Sequence, residues 1–82
     1  MDVTQAFGAV LRAERRKRGL TQTDLALRAG LSLNFVSLVE RGESSPTVAT
    51  VYALADALEL PVEALFALVT QRITSGRRAP KN

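Results

Sequence analysis

The sequence predicts an all-α domain of five short helices. Apolar residues recur at intervals of three and four rather than two, which is a helical period and leaves no strand signal. Gly, Ser, Thr and Pro fall between these periodic stretches as starts and stops. Hydrophobic residues fill 46% of the 82 positions but aromatic ones only 5%. A core of Leu, Val and Ala is therefore expected, with Phe7, Phe35 and Phe66 as its large pieces. A chain of this length fits one domain and hides about 60–65% of its surface on folding. Its core is small, and pairing with a second copy would add stability.

The first helix is expected from about Thr4 to Arg18, with Phe7, Val10 and Leu11 inward, cations in its last turn and Gly19 as its stop. Leu20 then enters the core. Thr21 is a good N-cap for the second helix, and Asp24 stands where a capping box wants an acceptor. Leu25, Ala26 and Ala29 form one stripe, and Gly30 can leave the helix with positive φ, so this helix stops near Ala29. Ser32 caps a third helix with Phe35, Val36 and Val39 inward and Gly42 at its close; Asn34, Ser37 and Arg41 cannot all be buried with them. The turn-forming run GESSPT follows, and Ser45 or Thr47 caps a fourth helix whose stripe is Val48, Val51, Leu54, Ala55 and Leu58. A fifth helix runs from about Pro61 to Val69 with Val62, Leu65 and Phe66 inward, its proline acceptable in the first turn. Beyond Thr70 the pattern fades, so the domain is drawn as residues 1–70 and residues 71–82 as a basic, flexible tail.

Only three residues separate the second and third helices, too few for an antiparallel return. The two must cross steeply, as in the bihelical unit whose second helix can enter a major groove of DNA. The start of that helix carries short polar side chains, which suits such a groove.

Residues from about Phe7 to Phe66 resemble the phage-repressor-like helix-turn-helix family, also called Cro/C1-type or XRE. The resemblance is carried by RRKRGLTQTDLALRAGLS, then VERG at the end of the third helix, then SPTVATVYALADAL, in that order. It implies a compact five-helix lambda-repressor-like domain, with the helix-turn-helix at helices two and three. It further implies binding to pseudo-palindromic operators in double-stranded DNA as a homodimer. Carried over residue by residue, it implies that Ser32, Leu33, Asn34, Ser37 and Leu38 meet base edges. An Asn amide can donate to and accept from the N6 and N7 edge of adenine, a pairing worth ~1–3 kcal/mol of discrimination. Leu33 and Leu38 depart from the polar residues common in relatives and can only pack on thymine methyls or sugar carbons. Phosphate contacts are expected from Thr21, Gln22, Arg41 and Ser44, with Arg12 and Arg16 on the flank. Glu40 would be repelled by DNA; the resemblance pairs it instead with Arg15, as a structural ion pair between helices one and three.

The net charge of +3 is unevenly divided. Residues 1–20 carry Arg12, Arg15, Arg16, Lys17 and Arg18 against Asp2 and Glu14, and residues 72–82 carry Arg72, Arg77, Arg78 and Lys81 with no acid. Between them, Arg28 and Arg41 stand against Asp24, Glu40, Glu43, Asp56, Glu59 and Glu63, so long-range attraction to DNA is expected from the first helix. Without cysteine or histidine, disulfides and thiolate or imidazole metal sites are excluded, and no cofactor or metal is expected. The carboxylates and hydroxyls form no nucleophile, base and orienter set, so no enzyme is expected. No small-molecule ligand is expected either, because the DNA-binding domain takes nearly all of the sequence. With no basic leader and no 18-residue apolar run, neither export nor a membrane partner is indicated, and the expected location is the cytoplasm.

Helices four and five hold more apolar residues than one inward stripe uses. Leu60, Pro61, Ala64, Ala67, Leu68 and Val69 are expected to make a two-fold contact that sets two recognition helices roughly 34 Å apart. The function expected is a sequence-specific transcriptional regulator, a repressor or controller. The alternative is an antitoxin-like or anti-repressor module that holds a protein partner, which exposed leucines at Leu33 and Leu38 would permit.

Overall fold

The computed structural model describes residues 2–76, which form α1 (Val3–Lys17), α2 (Gln22–Ala29), α3 (Leu33–Glu40), α4 (Val48–Ala57) and α5 (Val62–Gly76). Side-chain oxygens cap the first four helices at their starts. Asp2 accepts from the Gln5 N–H at 2.8 Å while Gln5 accepts from the Asp2 N–H at 3.3 Å, so α1 begins a residue earlier than its periodicity suggested. Thr21 and Asp24 make the same reciprocal box on α2, at 3.0 and 2.9 Å. Ser32 caps α3, and Thr47 rather than Ser45 caps α4.

The same four helices also end alike. Each runs into one left-handed residue, Gly19, Gly30, Gly42 or Glu59, at φ +70, +71, +75 and +59°. Two backbone bonds close each turn: at α1 the Leu20 N–H donates to Arg15 O at 3.1 Å and the Gly19 N–H to Arg16 O at 2.9 Å. The next residue is then apolar at three of the four ends, Leu20, Leu31 and Leu60, and each packs half-buried against the core. Glu59 holds at the last of these turns a conformation that glycine holds at the others, which is why no stop signal was legible between α4 and α5.

The core lies where α1 packs on α3 and α5, α2 on α3 and α4, and α4 on α5. Leu11, Leu25, Val36, Val39, Leu54, Leu58 and Leu65 are fully buried there, with Phe7 beside them. Closest approach comes at Gly8 of α1. A Cβ on it would lie 2.8 Å from the carbonyl oxygen of Glu40 and nearer still to that of Val39, so α3 rests on bare backbone. Arg18 ties the far end together, donating to Leu58 O at 2.8 Å and to the Glu14 carboxylate at 2.8 Å.

Three expectations are corrected. Val48 is 74% exposed, because it is the first residue of α4 and the buried stripe begins only at Val51. Phe66 is 48% exposed, since Leu65 and Val69 take the inward side of α5; Phe35 is half-buried. Helix α5 also continues to Gly76, past its expected end near Val69, because Ile73 extends the stripe of Leu65 and Val69 by one more step of four. Residues 77–82, the remainder of the expected tail, lie outside the described residues. Among the described residues, no helix is long and apolar enough to cross a membrane.

Candidate nucleic-acid interface

Crossing of α2 and α3 over the three-residue turn leaves the start of α3 facing outward. Ser32, Leu33 and Asn34 are exposed, and Ser37 and Leu38, a turn further on, are half-buried. Ser32 Oγ accepts from the Phe35 N–H at 3.1 Å, so its own proton is left to donate. The Asn34 amide makes no side-chain hydrogen bond among the described residues, which leaves both its donor and its acceptor unspent.

At the other end of α3 is a network that α1, α2 and α3 build together. Arg15 presents Nε and Nη2 to the two Glu40 oxygens at 2.7 and 3.0 Å, a bidentate pair. The Arg15 side chain is 10% exposed and that of Glu40 2%. Arg15 Nη1 also donates to Leu20 O at 2.8 Å. Gln22 Nε2 donates to Glu40 Oε1 at 3.0 Å, a bond that sequence spacing did not reveal. An amide nitrogen carries two protons, so one remains for an outside acceptor once the first is held by Glu40. Gln22 is thereby aimed by the buried pair rather than free to rotate.

Gln22, Ser37 and Arg41 border one open hollow together with Arg12, Arg15, Arg16 and Glu40. The structure thus brings together residues proposed for base and phosphate contact. Thr21, the exposed cap of α2, precedes Gln22; its Oγ1 accepts from the Asp24 N–H. Arg41 is exposed and lies 3.6 Å from the Glu43 carboxylate, a loose pair in water. Ser44 is half-buried in the α3–α4 loop and does not border this hollow. Asp24 stands in the first turn of α2, two residues past Gln22: hydrogen bonds from the Thr21 backbone and hydroxyl hold its carboxyl below the usual range.

The residues expected at a two-fold contact do not share one face. Val69 is buried in the core, and Leu68 turns toward Val10, Ala13 and Glu14 of α1. Leu60 and Ala64 are half-buried, and Pro61 and Ala67 are exposed. The large apolar group that α5 presents outward is Phe66, beside Val3, Pro46 and Val48 along an apolar groove. Sequence periodicity had assigned Phe66 and Val48 to the core.

A family model described as helix-turn-helix matches residues 11–65. The chain is similar to the HTH-type transcriptional regulator y4dJ of Sinorhizobium fredii, at 43% identity over 58 residues, covering 71% of this chain and 75% of that protein. It is also similar to the immunity repressor protein of Bacillus phage phi105, at 38% over 58 residues, spanning 71% of this chain but only 40% of the repressor. Among solved structures it resembles the restriction-modification controller protein C.AhdI from Aeromonas hydrophila, with 36% identity and a TM-score of 0.75 over 77% of this chain and 96% of that one. The order of helices, the packing of α2 on α3 across a three-residue turn and these likenesses agree: the chain belongs to the phage-repressor-like (XRE) helix-turn-helix family of transcriptional regulators.

Proposed function

We propose that this protein is a repressor or controller that binds a pseudo-palindromic operator as a homodimer, with α3 in the major groove. One observation carries the reading most of the way. Helix α3 has an exposed first turn and, further along, borders through Ser37 and Arg41 a hollow shared with Arg12, Arg16 and Gln22, its last residue held by the buried Arg15–Glu40–Gln22 network. In this reading Asn34 reads a base edge, Ser32, Leu33, Ser37 and Leu38 line the groove, and Gln22 and Thr21 hold phosphate. The names of the regulator, the phage repressor and the controller support it. Ser44 serves as a secondary phosphate donor from the following loop.

For the two-fold contact, the exposed face of α5 supports a version centred on Phe66 and Ala67, with Pro61 and the edges of Leu60 and Ala64 around them. That leaves the α3 face of each copy clear.

Selection from random duplex DNA at about 150 mM salt tests the proposal, because non-specific phosphate attraction is weak there. Enrichment of a two-fold symmetric site supports it. A folded protein that enriches nothing refutes it and favours the second reading, a protein-interaction module. That module would use the groove of Val3, Phe7, Pro46, Val48 and Phe66, which draws no residue from α2 or α3.

A further inference from the structure

We infer that Arg72 of α5, with Arg12 and Arg16 of α1, forms a trench for a phosphate of the DNA backbone outside the base-read site. The inference rests on the operator-binding reading and adds a contact from a helix that the helix-turn-helix does not include. Ala9, Arg12, Ala13 and Arg16 recur at three- and four-residue spacing along one side of α1. Together with Arg72 and Glu40 they border a second open hollow. This hollow and the one holding Gln22, Ser37 and Arg41 have Arg12, Arg16 and Glu40 in common. A continuous groove therefore runs from the start of α2, across α1, to α5, with alanines where α1 forms its floor.

Among the described residues, no carboxylate lies within ion-pair distance of Arg12, Arg16 or Arg72. Glu40, the acid that borders both hollows, already receives three hydrogen bonds from Arg15 and Gln22. Arg72 also borders the hollow beside Glu14, but that carboxylate is taken by Arg18 at 2.8 Å and Lys17 at 3.2 Å. Guanidinium groups lining one groove repel one another until an anion enters, and their planar donor sets match phosphate oxygens. The groove adjoins Gln22, so a backbone held there continues along the strand instead of ending at the helix-turn-helix. Arg72 became available only because α5 runs on past residue 70.

The test is salt-dependent binding of wild type, Arg72→Gln and Arg72→Lys to a duplex carrying the selected site with extended flanks, and to one trimmed to the site. Arg72 is exposed, so Arg72→Gln should fold and melt like wild type. The expected result is a shallower dependence of log K on log salt for Arg72→Gln, by about 0.9 for the one phosphate lost. Base preference stays unchanged, Arg72→Lys restores most of the slope, and the difference disappears on the trimmed duplex. An unchanged slope on the long duplex overturns the trench while leaving operator binding standing. A difference that persists on the trimmed duplex overturns the placement outside the site. If wild type binds no duplex, the trench fails together with the operator reading. Titration with inorganic phosphate separates the remaining source of the same chemistry: saturation at the three arginines with no effect of Arg72→Gln on DNA assigns the groove to a free phosphate ligand and overturns the proposal.

Discussion

Replacing Glu40 with alanine should unfold this domain more readily than any exposed change on the same helix. The carboxylate is almost completely buried and accepts from Arg15 Nε, Arg15 Nη2 and Gln22 Nε2. Its removal leaves a guanidinium, itself only 10% exposed, with Leu20 O as its one remaining partner. Breaking a buried pair from one side costs about 3–5 kcal/mol. The retained Leu20 bond, and water entering the open hollow alongside, place the expected loss near the lower end, about 3 kcal/mol. For a domain of this size that lowers Tm by roughly 12–24 °C, at 4–8 °C per kcal/mol. Urea titration followed by helical circular dichroism measures it directly, with the double variant Arg15→Met/Glu40→Leu compared alongside. The double variant should recover most of the loss, because an apolar pair of similar volume leaves no buried charge. A loss below about 1 kcal/mol for Glu40→Ala, or a double variant as unstable as the single, would refute the view that the pair is buried and mutually dependent.

Four other outcomes are expected. Asn34→Ala should flatten preference at one base pair of each half-site by about 1–3 kcal/mol and leave the rest intact; an unchanged preference at every position in a site-by-site competition removes Asn34 from base reading. Gly8→Ala should cost about 2 kcal/mol by denaturation, since an overpacking loss of roughly 3 exceeds the ~1 regained in helix propensity. Glu59→Gly should gain about 0.5–1 kcal/mol by relieving the left-handed conformation at the end of α4, and a loss would show that the glutamate side chain matters there. Hydrogen bonding from Arg18 holds the Glu14 carboxyl below its ordinary value. A group lowered on folding stabilises above its unfolded pKa, about 4.3, and that contribution is lost as pH falls through the folded value. Stability of Glu14→Gln, measured against pH, should therefore fall less steeply than wild type below about pH 4.3.

Much of the fold was legible because its punctuation is local. Thr21, Ser32, Thr47, Gly19, Gly30 and Gly42 act within three residues of themselves, and a reader of the chain sees the whole of each device. The turn at Glu59 escaped because a carboxylate side chain carries no hint of a left-handed backbone. Val48 and Phe66 fit a helical period as well as any core residue does, but Val48 opens α4 before its buried stripe begins and Leu65 and Val69 take the inward side of α5. The same limit hid Gly8, whose missing Cβ matters solely because α3 arrives across it. In the candidate site, residue types and helix positions could be read, but the Gln22–Glu40 bond joins positions eighteen apart and needs three dimensions. Arg72 falls in the expected tail because a single isoleucine, Ile73, is all that extends the apolar period there.

The outward residues at the start of α3 owe the interior very little. Asn34 makes no side-chain hydrogen bond among the described residues, Leu33 is half in water, and Ser32 contributes one cap. The frame that fixes the helix at its other end is made instead by Arg15, Glu40, Gln22 and Gly8. Retargeting this scaffold is therefore a problem of a few surface letters. On the proposed reading, a lineage could exchange one DNA address for another through single changes at the exposed Leu33 and Asn34 without passing through an unstable ancestor, while any drift in the frame would be removed before its effect on DNA could matter.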